Sequence, residues 1–222
     1  MLSSLNKEEI LRYLGYRQTG LTDRIEKLLE RCMDEAVKVA SPKYIYRRFQ
    51  IQRGEEGIYI KETPICLKGA SVREHLQGCR EIYLLCATAG IGLDKRIRQW
   101  MVTEPDAGLV LDGCGIQAVE QVADMAEREI EETVAEEGLH LTWRFSPGYG
   151  DLPLDIQADI LNVLDTHRKI GVSLNESCLM TPSKSVTAIA GICDMEKDRR
   201  ENKCDYCNNR GTCSYRKRGV TC

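Results

Sequence analysis

Apolar residues recur with a helical period along much of the chain, interrupted by shorter alternating or continuous apolar runs. Between Thr22 and Ala40, the residues Ile25, Leu28, Leu29, Cys32, Met33, Ala36 and Val37 form one stripe, the spacing of an amphipathic helix. Thr22 or Asp23 can cap its start, and Pro42 bars its continuation. A shorter helix is predicted from Asn6 to Leu14. The longest periodic segment, about Ala107 to Glu136, carries Ile116, Val119, Ala123, Ala126, Ile130 and Val134 on one face. Further helices are predicted near Val72–Gln77, from Gly92 to about Val102, and over Asp155–His167.

Strand patterns fall between these helices. Tyr44–Gln52 and Ile58–Lys61 flank an Arg53–Gly57 turn, as in a hairpin. Glu81–Thr88 reads as a buried strand, and Leu139–Phe145 and Ser185–Cys193 as two more. Helices and strands interleave irregularly and a hairpin is present, so the predicted class is α+β. Its sheet is expected to be twisted and mostly antiparallel with flanking helices, not doubly wound and parallel. Gly90 and Gly92 lack the third glycine and the downstream acid of a dinucleotide fingerprint.

Composition narrows the class. The 222 residues suffice for one domain with a substantial core and an appendage. We place an α+β domain at 1–196, with a helical N-terminal part at about 5–40, and a tail at 197–222. A net charge of −3 gives no global field that favours nucleic acid. No apolar run reaches the roughly twenty residues of a membrane span, and the N-terminus has no signal-peptide pattern. A soluble cytoplasmic protein is therefore expected. Seven of the eleven cysteines are scattered in apolar settings and read as small buried hydrophobes. The three histidines, His75, His140 and His167, sit in no ligand-like constellation and are expected to meet solvent.

The candidate chemistry starts at Arg144-Phe-Ser-Pro-Gly-Tyr-Gly-Asp-Leu-Pro153, which follows a predicted strand. Pro147 stiffens and Gly148 bends the backbone, which holds Arg144 and Tyr149 close together. Arg offers a fixed fork of donors to a carboxylate, and Tyr adds a polar handle on an apolar ring. A plain strand-to-loop turn with a surface Arg is the competing reading. Downstream lies Ile170-Gly-Val-Ser-Leu-Asn-Glu-Ser-Cys-Leu-Met-Thr-Pro-Ser-Lys-Ser-Val186.

Taken with Leu111-Asp-Gly-Cys-Gly-Ile-Gln-Ala-Val119 and Arg12-Tyr-Leu-Gly-Tyr-Arg17, these two segments resemble the reactivation domain of cobalamin-dependent methionine synthase, as a stand-alone version of it. The resemblance spans roughly residues 5 to 193. It implies binding of S-adenosylmethionine and reductive remethylation of a cobalamin carried by a partner, either methionine synthase or another corrinoid protein. An electron donor such as flavodoxin or ferredoxin would serve that reaction.

The same resemblance assigns residues. Arg144 matches the arginine for the methionyl carboxylate, and Tyr149 the tyrosine of the Pro147-Gly148-Tyr149 turn. Asp124, with Glu120 one turn earlier, matches an acidic ligand contact, although eight carboxylates between positions 120 and 137 read first as a solvated face. Met180 to Val186, with Met180 and Ser185, matches the loop that faces the corrinoid. The chain departs from the family at Gly150-Asp-Leu-Pro153 and lacks a counterpart of an N-terminal aspartate that contacts the ligand.

The tail stands apart. Cys204, Cys207, Cys213 and Cys222 crowd the last nineteen residues, and from Lys197 on eight bases face three acids. Four cysteines can hold zinc or an iron–sulfur cluster, with Cys193 a further candidate for the fourth position. Unliganded thiols are the alternative. The tail thus opens a second functional reading, a metal-binding or iron–sulfur redox or scaffold protein that docks on a corrinoid protein without binding S-adenosylmethionine.

Overall fold

Val, Ile, Leu and Ala fill the two uninterrupted apolar runs of the chain, and these become the central strands of the computed structural model. It describes residues 2, 4–16, 20–195 and 211–212. In chain order the elements begin with α1 (Lys7–Tyr13), α2 (Asp23–Val39), β1 (Lys43–Arg53), β2 (Ile58–Ile60) and β3 (Cys66–Leu67). Next come α3 (Ala70–His75), β4 (Glu81–Thr88), α4 (Ile91–Thr103), α5 (Pro105–Glu136) and β5 (His140–Leu141). Then follow α6 (Ile156–Leu164), α7 (Thr166–Ile170), β6 (Ser173–Leu174), β7 (Met180–Thr181) and β8 (Ser185–Cys193). Six strands form one sheet in the order β3-β2-β1-β4-β8-β5, and β6 pairs with β7 separately.

The sheet is antiparallel with flanking helices, the expected α+β class. Ile51 faces Ile60 and Arg53 faces Ile58 across the β1–β2 hairpin, and His140 faces Cys193 across β5–β8. The amide of Ser41 donates to Ala89 O (2.8 Å) beyond one end of the β1–β4 pair, and that of Ile51 to Arg80 O (3.1 Å) at the other. Those two bonds at opposite ends require antiparallel strands.

The described chain divides into two compact units. One comprises Met1–Ile45, Cys86–Ala126 and Thr166–Val186; the other comprises Tyr46–Leu85, Glu127–Asp165 and the chain from Thr187 onward. In the first, α2 and α4 are tied by polar groups on an apolar base. Arg31 of α2 pairs with Glu104 at 2.6 Å and lies over the Trp100 ring, while Arg96 of α4 pairs with Glu35 at 2.7 Å. Thr22 caps α2 as expected, its hydroxyl accepting the Ile25 amide. The buried face of α5 carries Leu111, Cys114, Ala118 and Val122 as well as Ala123 and Ala126; Ile116 is half-buried.

In the second unit, Tyr83, Ile130, Val134, Leu141, Ala190 and Ile192 form a core cluster. Arg48 of β1 donates to Glu81 of β4 (2.6 Å) and to Glu137 beyond α5. That guanidinium, outweighing slight burial, holds the Glu137 carboxyl below its usual range.

Three local expectations are corrected, and two small strand features are additions. The predicted helix over Asp155–His167 is two helices, broken where Asp165 turns left-handed (φ 53°). The Leu139–Phe145 strand is a two-residue ladder followed by one isolated bridge, Phe145 with Ile189. His75 is buried at 4% exposure, not solvated, because its ring nitrogen has a hydroxyl partner in the core. The two-residue β3 and the β6–β7 hairpin carry no apolar pattern long enough to be seen in the sequence.

Candidate functional site

Between β5 and Phe145 the chain contains one residue more than the strand it pairs with. Leu141 faces Ile192 and Phe145 bridges Ile189, so four steps on one side oppose three on the other. Such a bulge reverses which face the following side chains take. Leu141 packs with Ile130 and Val134 of α5. Three residues later Arg144 reaches the same helix, its Nε 2.9 Å from Oε2 of Glu127. Thr142, Trp143 and Phe145 instead meet His75 of α3, at 3.0 Å from its Nε2 and at ring-centroid distances of 4.3 and 5.0 Å. Side-chain exposures of 11% for Arg144 and 18% for Glu127 make this a largely desolvated ion pair.

The turn that follows is closed by its own backbone. Tyr149 N–H donates to Ser146 O and Leu152 N–H to Tyr149 O, each 3.0 Å, and Gly148 N–H returns to Leu152 O. Pro147 is buried beneath it, and Gly148 takes φ 88°. Tyr149 is 46% exposed, with its ring edge-on to Phe145 at 6.1 Å. An aromatic series therefore runs from buried His75 through Trp143 and Phe145 to the exposed tyrosine. Asp151, part of the departure from the family pattern, has a visible role. Its carboxylate accepts the amides of Ala70 (2.6 Å) and Ser71 (2.9 Å) and so caps α3 from 80 residues away. Gly69 is required there: at φ 130°, a Cβ would stand 2.6 Å from Asp151 Oδ1. Burial alone would raise the Asp151 pKa, but those amide donors outweigh it and hold the group below its ordinary value.

The two acids singled out on α5 lie in the first unit. Asp124 is exposed. Glu120 is half-buried, and after burial it is the next cause that pushes the Tyr13 phenol up. Glu127, three residues beyond Asp124, is the acid that meets Arg144. Its sequence setting among seven other carboxylates held no mark to separate it from them.

The Met180–Val186 segment is built around a carboxylate that the sequence reading passed over. Asp94 in the first turn of α4 is 5% exposed and accepts Ser183 N–H (2.6 Å), Ser183 Oγ (3.0 Å) and Lys184 N–H (3.4 Å). Lys184 Nζ in turn pairs with Asp112 at 2.8 Å. Ser185 Oγ lies 2.7 Å from Pro182 O and 2.8 Å from Thr88 Oγ1, which engages it within the fold. Met180, Thr181 and Ser183 line an open cavity of about 480 Å³ together with Ile97, Arg98 and Asp112. Leu179 at its edge is 62% exposed.

Burial pushes the Cys32 thiol up to about 11 and those of Cys86 and Cys114 up to about 12, so all three stay protonated. Cys204, Cys207, Cys213 and Cys222 lie outside the described residues. Among the described residues, no group of three or more His, Cys, Asp or Glu side chains is placed to hold a metal. No helix of the described residues is long and apolar enough to cross a membrane.

No protein-family profile matches the chain, and no curated protein sequence matches it. Among solved structures it is similar to the crystal structure of the MetH reactivation domain bound to AdoHcy. The likeness covers 95% of this chain and 80% of that one, with a TM-score of 0.62 and 16% sequence identity. At that identity the comparison establishes a shared fold.

Proposed function

We propose that this chain binds S-adenosylmethionine and serves as an auxiliary protein in the reductive reactivation of a cobalamin-dependent methionine synthase or a related corrinoid methyltransferase. The observation that carries this reading is the likeness, over 95% of the chain, to a reactivation domain whose structure holds AdoHcy. The ligand's amino-acid end is a zwitterion, and Arg144 with Glu127 is a desolvated pair of opposite charges. On this reading Arg144 grips the carboxylate and Glu127 the ammonium. The exposed Tyr149 ring, set by Pro147 and Gly148 and lying edge-on to Phe145, is proposed to offer a π face to the sulfonium. Asp124 and Glu120 are proposed separately, on the resemblance alone, as acidic ligand contacts.

The loop from Met180 to Ser185 would face the partner's corrin ring, with Asp94 fixing its backbone. Methyl and electron chemistry belong to S-adenosylmethionine and to the partner's cobalamin. This chain's residues bind, orient and exclude water, so no nucleophile or general base of its own is called for. The tail cysteines Cys204, Cys207, Cys213 and Cys222 are proposed to hold zinc or an iron–sulfur cluster. In the latter case the tail would relay the electron that a flavodoxin or ferredoxin supplies.

Calorimetry of the full chain with S-adenosylmethionine, alone and with cobalamin-loaded methionine synthase, tests the reading. Binding should weaken roughly 10- to 100-fold in Arg144→Ala, the loss expected for a hydrogen bond between charged groups. Absence of binding in both settings, or an Arg144→Ala variant that binds normally, overturns it.

A further inference from the structure

We propose that Cys79 and Cys193 form a reversible disulfide, a covalent modification site that takes a small-molecule disulfide as its oxidant. The inference is independent of S-adenosylmethionine binding. The two Sγ atoms lie 2.9 Å apart, although the residues are separated by 114 positions in the sequence. A disulfide forms at about 2.05 Å, so the sulfurs need close by only roughly 0.9 Å.

Both partners are held by the fold. Cys79 lies in the turn between α3 and β4, with its N–H on Leu76 O (3.0 Å). Its carbonyl accepts Arg53 Nη2 at 3.0 Å, and the same nitrogen reaches Leu76 O at 2.6 Å. Cys193 ends β8, in register with His140. Gly191 makes their meeting possible. A Cβ at that position would stand 2.6 Å from Cys79 Sγ and 3.3 Å from Cys79 Cβ. The bare glycine thus lets the Cys79 side chain lie across the strand, toward the residue two positions on that shares its face.

Cys79 is fully buried and Cys193 is 5% exposed, so exchange begins at Cys193. Its thiolate attacks one sulfur of an oxidant such as oxidised glutathione, which releases one thiol and leaves a mixed disulfide. Cys79 Sγ then attacks the Cys193 sulfur and displaces the second thiol. Two protein thiols lose two protons and two electrons, and the oxidant's disulfide becomes two thiols. The product cross-links the turn before β4 to the end of β8, within the unit that carries Arg144 and Tyr149.

The test uses the full-length reduced protein, incubated natively with excess oxidised glutathione, alkylated and mapped by mass spectrometry without reduction. The expected product is a Cys79–Cys193 cross-linked peptide, reversed by dithiothreitol, with a Tm higher by about 5–10 °C. Cys79→Ser and Cys193→Ser should each abolish both the cross-link and the Tm rise, and Gly191→Ala should slow the cross-linking several-fold. The proposal falls if both cysteines of the wild type are alkylated after oxidation, or if Cys193 is found joined to another cysteine.

Discussion

Arg144 and Glu127 are mostly withdrawn from water, and a pair in that position responds unequally to single and double substitution. Glu127→Gln leaves a guanidinium in a desolvated site without its counter-charge, which should cost about 1–3 kcal/mol of stability in urea titration. Replacing both residues by Met removes both charges and keeps apolar volume, so stability should return to near the wild-type value. Affinity for S-adenosylmethionine should be lost in the double variant all the same, because packing cannot substitute for charge recognition. A double variant that binds as well as wild type would detach the ion pair from the ligand. Arg144 and Tyr149 stood out as candidates because Pro147 and Gly148 stiffen and bend the backbone between them and because the segment resembles the reactivation-domain turn. Glu127 did not, because its meaning depends on a partner seventeen residues away on another element. His75 was misread for a related reason: its polar helical neighbours suggest solvent, whereas Trp143 and Phe145 cover it from outside its own segment.

At the level of elements, β4 and β8 were legible to the residue because central strands, buried on both faces, are written as unbroken apolar runs. The β5 region was not. Alternation across Leu139–Phe145 puts Leu141 and Arg144 on opposite faces, and the one-residue bulge puts both toward α5. A bulge leaves no signature in hydropathy, since it shifts parity without changing composition. The cap that Asp151 places on α3 is similarly non-local, and it makes a pH prediction. The folded pKa of Asp151 lies below its ordinary value of 3.8, so its stabilisation is fully present above about pH 5 and fades as pH falls through the folded value. Asp151→Asn should therefore lower Tm near neutral pH by a few degrees and flatten the Tm decline between about pH 5 and 3. Calorimetric scans across that range check it; parallel wild-type and variant curves would show that the carboxylate contributes no acid sensitivity.

Across the whole molecule, a shared fold at 16% identity fits the different demands of core and site. Many apolar combinations fill the same sheet, whereas a binding site depends on a few polar groups. Cysteine use divides along a comparable line. Cys32, Cys79, Cys86, Cys114 and Cys193 are buried, Cys66 and Cys178 are half-buried, and four more crowd a tail of net charge +5, by eight bases less three acids. Cationic surroundings favour thiolates, which are both better metal ligands and faster nucleophiles. These two consequences separate the competing accounts of the tail. With a bound metal, anaerobically purified protein should contain iron or zinc, and brief native alkylation should label Cys66 and Cys178 while sparing Cys204, Cys207, Cys213 and Cys222. The double variant Cys204→Ser/Cys207→Ser should then lose the metal and expose the two remaining tail thiols to labelling. Without a metal, the tail cysteines should instead be the first modified, ahead of Cys66, because a basic segment favours the thiolate and no bound metal would hold it. Iron and zinc analysis alongside peptide mapping of the same sample decides between these orders of reactivity.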